Sequence, residues 1–317
     1  MTERAGGRGF GRSSTRKLFH SVRDVEGNAL ITGLPGSGKT SLIKWSLREI
    51  PGDYAVVVYD TVGDFKECDF TGRYSVNPVD LLHSRFLEIL EESLSATYGE
   101  YAYILTPAMA ELIERAIEAG ASTPSAIRNM VYNVAEAHEV DTAHAVRRRL
   151  SHLDNPQFLR SDVPVKPGKS TCVDISALDR VGRMAFVLTH LELTRRAKNV
   201  IYVIDEAHRF LAFANRYSLL VDHLRTGRAA GRFFVLVSHS YREFARHIGY
   251  VKMAVRFLDW DWESDKMPPL GPSEALVTLW AASTRSAAML SKMGIPLAGG
   301  MSRFKLQVPP YAAGSPT

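Results

Sequence analysis

The sequence predicts an α/β fold built on a mostly parallel sheet. Short apolar runs rich in β-branched residues alternate with helical patterns over residues 25–77 and again over residues 161–317. Such runs are typical of strands that are buried on both faces, as in parallel sheets covered by helices. Residues 78–160 between them carry helical patterns only. We therefore expect one α/β core that is interrupted by an α-helical insert.

The individual elements follow from apolar spacing and from Gly and Pro at their ends. The expected strands are Asn28 to Thr32, Ala55 to Tyr59, Thr171 to Ile175, Val200 to Ile204, Phe233 to Val237, Val251 to Phe257 and Ser302 to Val308. The expected helices outside the insert begin at Ser41 and at Arg180, with two more at Ser273 to Trp280 and Ser286 to Lys292. Within the insert we expect helices near Leu81 to Leu94, Met109 to Ala119, Ser125 to Val140 and Thr142 to Leu153.

Composition and charge set limits on the class of protein. With 317 residues, 45% of them apolar, the chain can bury a sizeable core. The net charge is +5, and cations dominate the first residues, so we expect residues 1–24 to be a flexible basic tail. Such a tail either contacts nucleic acid or acidic lipid or is merely solvated. No apolar run has the length of a signal peptide or a membrane span, and we expect a cytoplasmic protein, or a virion-associated one if it is viral.

The two cysteines give no sign of a structural site. Cys68 and Cys172 are distant in sequence, and neither has a Cys or His nearby at metal-ligand spacing. We expect neither a disulfide framework nor a zinc site.

A phosphate-binding loop follows the first expected strand. Residues Gly33 to Thr40 have the sequence G-L-P-G-S-G-K-T, and they lie between a strand and a helical pattern, the context that this motif requires. Backbone N–H groups of such a loop face a hollow at a helix N-terminus, where an anion is favoured. Lys39 is expected to reach the β- and γ-phosphates of ATP and Thr40 to bind Mg²⁺. The expected nucleotide contacts are Gly33, Pro35, Gly36, Ser37, Gly38, Lys39, Thr40 and Ser41.

Two carboxylates end the strand Val200 to Ile204. Asp205 and Glu206 at the mouth of a buried strand are costly unless a cation accompanies them. We expect Asp205 to hold Mg²⁺ together with Thr40, and Glu206 to orient or deprotonate the attacking water. The tetrapeptide Asp205 to His208 also spells the DEAH motif of certain helicases, but the chain is too short for their second lobe in addition to the insert.

The order of these motifs resembles the HerA/FtsK superfamily of hexameric DNA-pumping ATPases, which includes conjugative coupling proteins and viral genome-packaging ATPases. The likeness spans about residues 28–308. Besides the loop and the acidic strand end, it is carried by Val58-Tyr59-Asp60 with Gly63-Asp64-Phe65, and by Leu224 to Gly231 ahead of the strand at Phe233. The resemblance implies a RecA-like P-loop NTPase core, ATP and Mg²⁺ as cofactors, a homo-hexameric ring, and DNA, expected to be double-stranded, as cargo.

Two further site residues follow from the resemblance. The arginine of the Gly-Arg pair reaches a neighbouring subunit's ATP in this family, which implies that role for Arg228. The alternative, in which Arg225, Arg228 and Arg232 form a solvated or DNA-facing helix end, stays open. Where the family has a Ser/Thr-Gln pair that senses the γ-phosphate, this chain has Ser238-His239. A neutral imidazole can donate one hydrogen bond, so His239 is the candidate sensor.

The resemblance thus implies an ATP-hydrolysing DNA translocase. Only about two dozen residues precede the first core strand, and the chain ends soon after its last one, which favours a motor without additional domains. We expect it to package or pump DNA for a virus or mobile element, with a capsid, portal or nuclease as a candidate partner. A HerA-like DNA-end-processing motor, a conjugative DNA-transfer motor, a protein-secretion or remodelling ATPase and a nucleotide-dependent switch stay open.

Overall fold

The computed structural model of the protein describes residues 18–99, 105–211, 218–244, 247–258, 270, 274–280 and 301–308. These residues hold the strands β1 (Asn28–Thr32), β2 (Ala55–Asp60), β3 (Phe70–Gly72), β4 (Ser170–Asp174), β5 (Val200–Ile204), β6 (Arg232–Ser238), β7 (Val251–Arg256), β8 (Glu274–Trp280) and β9 (Met301–Gln307). They also hold the helices α1 (Leu18–Val25), α2 (Lys39–Ser46), α3 (His83–Tyr98), α4 (Pro107–Glu118), α5 (Pro124–Val134), α6 (Val140–Leu150), α7 (Arg180–Leu193), α8 (His208–Leu211) and α9 (Leu219–Thr226).

All of the described strands belong to one sheet. Their order is β3-β4-β2-β5-β6-β1-β7-β8-β9. Every pairing from β3 to β7 is parallel, whereas β7–β8 and β8–β9 are antiparallel. The carboxyl ends of β1, β5 and β6 therefore meet at one edge of the sheet, with β6 in the middle. The predicted α/β fold with a mostly parallel sheet is confirmed.

Helices cover both faces of this sheet. Side chains alternate between two buried clusters, so that Val57 and Tyr59 of β2 face one layer while Val56 and Val58 face the other. Helices α1 and α2 pack in the second cluster, and α3 to α7 with α9 pack in the first. None of the described helices combines the length and the hydropathy that a bilayer-spanning segment needs.

The region 78–160 is helical in its described part. Threonine side chains cap two of its helices, since Thr106 accepts a hydrogen bond from Met109 N–H and Thr123 accepts one from Ala126 N–H, each ahead of a proline in the first turn. The helix expected over 125–140 ends earlier, at Val134. Helix α3 packs against α7, and both helices contribute to the same buried cluster. The limits that we predict for the helical insert and for the α/β core therefore stay a prediction.

Part of the expected tail is ordered. Residues 18–24 form most of α1, and Leu18, Phe19, Val22 and Val25 on one side of it are buried against α2 and β7. Their helical spacing is visible in the sequence, whereas the cations that precede them indicate a tail. The prediction of a flexible tail was wrong for this segment, and residues 1–17 lie outside the described part of the chain.

A second correction concerns β8. We expected a helix from Ser273 to Trp280, where Glu, Ala and Leu favour helices. The structure has a strand there, because Leu276 and Thr278 pair with β7 on one side and with β9 on the other. Tertiary pairing therefore outweighs local propensity. The helix expected over 286–292 lies outside the described residues.

A third correction concerns the cysteines. Cys68 and Cys172 form a disulfide across 104 positions of sequence. The Asp60 carboxylate accepts hydrogen bonds from Gly63 N–H and Phe65 N–H and turns the chain back after β2. β3 then pairs with β4, which places Cys68 beside Cys172. Proximity in the sheet, which spacing does not reveal, made our prediction wrong.

Candidate nucleotide-binding site

The loop between β1 and α2 leaves the sheet between β6 and β7. Gly33 begins it, and a Cβ atom there would overlap both the Ser37 hydroxyl and the Cβ of Phe257. Gly38 ends it with φ +111°, a left-handed conformation that glycine adopts without strain. The tight turn onto the N-terminus of α2 therefore depends on these two glycines.

Lys39 is held inside this loop. Its Nζ donates hydrogen bonds to Gly33 O at 2.6 Å and Leu34 O at 3.0 Å. Burial lowers the pKa of Lys39, while the nearby Glu206 and Asp205 carboxylates act in the opposite direction. A largely buried cation thus lies where a phosphate group would approach the loop.

The remaining loop residues differ in their exposure to solvent. The Ser37 hydroxyl is buried and has no hydrogen-bond partner among the described residues, so its donor suits an oxygen atom held in the loop. Thr40 and Ser41 lie half-buried in the first turn of α2, and Pro35 and Gly36 are exposed at the tip of the loop. The residues that we predict to contact the nucleotide therefore lie next to one another around one loop. Their roles in nucleotide binding stay a prediction.

Asp205 and Glu206 follow β5 at the same edge. Burial, with the neighbouring Glu206 charge as the second cause, raises the pKa of Asp205 to about 7. Glu206 has φ +52°, a conformation that costs a residue with a side chain on the order of 1 kcal/mol. Backbone strain at Glu206 and the like charges of the two carboxylates thus occur in adjacent residues. A cation beside Asp205 would favour its ionised form, and a carboxylate with the Thr40 hydroxyl is an oxygen ligand set of the kind that Mg²⁺ prefers.

His239 joins the two halves of the site. It follows β6, which lies between β5 and β1, so its ring stands between Glu206 and the loop. Its Nε2 is 2.9 Å from Glu206 Oε1, and its Nδ1 is 3.4 Å from both Lys39 Nζ and Gly33 O. The residue therefore lies in the site, while its role as a sensor stays a prediction.

Arg228 lies away from the loop of its own chain. It belongs to a 3₁₀ turn, Gly227–Ala230, at the amino end of β6. The seven residues of β6, at about 3.3 Å each, put roughly 20 Å between this turn and the site. Its Nη2 is 3.4 Å from Glu26 Oε2. Both side chains line a surface cavity of about 740 Å³ together with Tyr54, Arg225 and Phe233.

Other side chains in the site were missed from the sequence. Phe257 donates its N–H to Thr32 O at 2.8 Å, and its ring packs beside Gly38 as an apolar floor. Glu206 Oε2 lies 3.5 Å from His208 Nε2 and 3.7 Å from Arg209 Nε. The position of Phe257 depends on the pairing of β7 with β1, for which the sequence holds no signal. His208 and Arg209 lie two and three residues after Glu206, so their nearness to it is visible in the sequence.

Comparisons with known proteins agree with this geometry. A family model described as "AAA ATPase domain" matches residues 7–237, which include the loop, β5 and all but the last residue of β6. VirB4 of Thermoanaerobacter pseudethanolicus has a similar structure, with TM-score 0.59, 16% identity and 90% of each chain covered. The bacterial conjugative coupling protein TrwBdeltaN70, solved in complex with sulphate, gives TM-score 0.54 and 15% identity over 97% of this chain and 88% of that one. No curated protein matches the chain in sequence.

At 16% and 15% sequence identity, the two structures are evidence for a similar fold alone. They share with this chain a P-loop NTPase architecture, and a conjugative coupling protein is among the relatives that the sequence resemblance named. The family match covers well over half of the chain and includes the loop that holds Lys39. The chain therefore belongs to the AAA ATPase domain family and is an ATP-hydrolysing enzyme.

Proposed function

We propose that this chain is the subunit of a homo-hexameric ring that hydrolyses ATP between neighbouring subunits and thereby moves double-stranded DNA. One observation carries the proposal. Lys39, Glu206 and His239 converge at one edge of the sheet, whereas Arg228 lies at the opposite edge of the same chain. A site that uses Arg228 needs a second copy to supply it.

The residues around the loop divide the chemistry among them. Backbone N–H groups and Lys39 bind the phosphates, and Asp205 with Thr40 would hold Mg²⁺, which offsets phosphate charge when it is bound. Glu206 accepts the proton of the attacking water. With its hydrogen on Nε2, His239 donates to Glu206 and fixes the direction of that carboxylate.

The cavity around Arg228 suits the phosphates of a nucleotide that is bound to a neighbouring copy of the chain. It presents two guanidinium groups, Arg225 and Arg228, with Glu26 as the carboxylate among its lining residues. The pair of Arg228 with Glu26 is partly exposed and 3.4 Å long, so it is a weak interaction that an incoming phosphate can displace. A guanidinium at the γ-phosphate stabilises the charge that spreads during transfer.

DNA as cargo is supported by the fold likeness to a conjugative coupling protein and by a net charge of +5. We propose packaging or pumping of DNA for a virus or mobile element, in the cytoplasm or at a virion, with a capsid, portal or nuclease as partner. Conjugative DNA transfer is the second candidate, since the similar folds of VirB4 and the coupling protein favour it.

The test is ATP hydrolysis with and without linear double-stranded DNA, at roughly 50 and 200 mM salt. We expect DNA to stimulate hydrolysis several-fold at low salt and much less at high salt, because phosphate contacts weaken as salt rises. The Glu206→Gln variant should bind nucleotide but show no stimulated hydrolysis. Wild-type hydrolysis that DNA leaves unchanged at both salt concentrations would contradict DNA as the cargo and favour a protein-moving ATPase.

A further inference from the structure

We propose that Glu92, on helix α3, is a positioning residue for Arg228, because it fixes the start of α9, the helix that ends next to that arginine. The inference rests on the proposed role of Arg228 in a neighbouring subunit's site. It assigns to α3 a task in catalysis, although α3 lies outside the nucleotide site.

The first step is the contact at the start of α9. The first turn of a helix has N–H groups without partners inside the helix. Here the Glu92 carboxylate accepts the Leu219 N–H at 2.7 Å and also accepts from the Ser218 hydroxyl and the Leu220 N–H. Ser218, at the N-cap position, makes no side-chain cap of its own. The helix is thus capped by a carboxylate from another helix instead of by its own N-cap side chain. The helix dipole also favours a negative charge at this end.

The second step is the anchor along the body of α9. Glu192 of α7 is buried, and its Oε1 lies 2.8 Å from His223 Nε2 and 2.9 Å from Arg195 Nη1. Arg195 also bonds Asp222 at 2.8 Å. Arg85 of α3 lies 3.4 Å from the other oxygen of Glu192. These contacts, which centre on the buried Glu192 carboxylate and the buried His223 ring, fix the rotation of α9 about its axis, while Glu92 fixes its start.

The third step leads from α9 to Arg228. The helix ends at Thr226, and the 3₁₀ turn that holds Arg228 begins with the next residue. A Cβ at Gly227 would lie 2.8 Å from Arg232 O, so the turn is packed tightly on β6 and leaves little room to slide. Because no residue separates α9 from this turn, a displacement of the end of α9 strains the close contact with β6 and changes the placement of Arg228. A misplacement of about 1 Å can cost a reaction on the order of a hundredfold in rate.

The consequence is a link between two regions that the sequence predicts as separate. Helix α3 opens the helical region 78–160, and it supplies both Glu92 and Arg85. The helical region thus sets the position of the arginine that serves the neighbouring site. The subunit's own loop, with Lys39, is not among these contacts.

The experiment mixes subunits. Glu92→Ala alone should lower hydrolysis ten- to a hundredfold while nucleotide affinity changes less than twofold, because its own loop is intact. Mixed with Lys39→Ala subunits, which lack hydrolysis but have a well-placed Arg228, Glu92→Ala should regain activity. Arg228→Ala mixed with Lys39→Ala provides the reference for such recovery.

Two further variants complete the design. Glu91→Ala changes the adjacent residue of α3, which has no hydrogen bond or ion pair to α9 among the described residues, and it should behave as wild type. Glu92→Gln keeps one acceptor for the Leu219 N–H and should lose less activity than Glu92→Ala. If Glu92→Ala fails to fold, Glu92→Gln takes its place in the comparison with Glu91→Ala and in the mixing experiment.

Two results would overturn the proposal. The first is wild-type hydrolysis by both Glu92 variants. The second is a loss that Lys39→Ala subunits fail to restore although they restore Arg228→Ala, because the defect would then lie in the variant's own site. If Arg228→Ala itself shows no recovery, the role of Arg228 between subunits fails, and the role of Glu92 fails with it.

Discussion

The His239 ring lies between Lys39 and Glu206, with Nδ1 3.4 Å from Lys39 Nζ and Nε2 2.9 Å from Glu206 Oε1. One imidazole can satisfy both neighbours when it carries its hydrogen on Nε2 and accepts from Lys39 at Nδ1. The residue after β6 takes this place because β6 separates β5 from β1. Lys39, the proposed phosphate ligand, and Glu206, the proposed base, are thus connected through one side chain.

Replacement of His239 should therefore depend on what the new side chain can donate. We expect His239→Gln to retain most of the ATPase activity, because its amide can donate to Glu206, and His239→Ala to lose on the order of tenfold or more. Steady-state hydrolysis is the measurement, with nucleotide affinity as the control for the loop. Unchanged turnover in the alanine variant would remove His239 from the reaction.

Asp205 should make stability fall as pH rises. Its pKa in the folded chain is about 7, above the ordinary value of 3.8, so the fold disfavours the ionised form. The free energy of unfolding is then lowered progressively from about pH 4 to pH 7 and fully above pH 7. Asp205→Asn should thus stabilise the metal- and nucleotide-free protein above pH 7. A shift of roughly three units sets an upper limit of about 4 kcal/mol.

Thermal unfolding at pH 8 and at pH 4.5, in the presence of a chelator, checks this prediction. The gain in Tm from Asp205→Asn should be present at pH 8 and largely absent at pH 4.5. An equal gain at both values would show that the carboxylate is not the cause.

The disulfide between Cys68 and Cys172 should contribute to stability. A cross-link across 104 positions removes chain entropy worth about 5 kcal/mol at most from the unfolded state. Reduction should lower Tm by on the order of 10 °C. Cys68→Ser should unfold at the lower temperature and respond no further to reductant. A wild-type Tm that reductant leaves unchanged would contradict the assignment.

Helix α1 should be part of the folded core. Phe19 is fully buried, so Phe19→Ala should cost about 3–5 kcal/mol of unfolding free energy, measured by denaturant titration. Ser21→Ala on the same helix, where the side chain is half-buried, is the matched control and should cost less than about 1 kcal/mol. Equal losses of unfolding free energy from the two changes would show that residues 18–24 are part of a flexible tail and not of the folded core.

Local pattern was enough for those parts of the site that a single segment builds. Gly33 to Thr40 make a loop between their own strand and helix, and Asp205 with Glu206 end a strand, so both could be predicted without knowledge of the fold. The place of His239 was named from resemblance, but its contacts require the strand order β5-β6-β1, which no local signal encodes.

Three features that the sequence did not predict share one physical cause. The strand β8, the disulfide at Cys172 and the floor at Phe257 all depend on which strands become neighbours. Long-range pairing decides these features, and single-segment propensity is silent about it. Helix α1 differs, because the spacing of Leu18, Phe19 and Val22 is a local helical signal that the sequence itself contains beside the preceding cations.

The central claim is that one subunit's loop and its neighbour's Arg228 form a single ATPase site. The most direct measurement is ATP hydrolysis by Lys39→Ala and Arg228→Ala proteins, each alone and then mixed. We predict negligible hydrolysis by either variant alone and a clear recovery in the mixture, because some interfaces then combine an intact Lys39 with an intact Arg228. A mixture no more active than its components would contradict the claim.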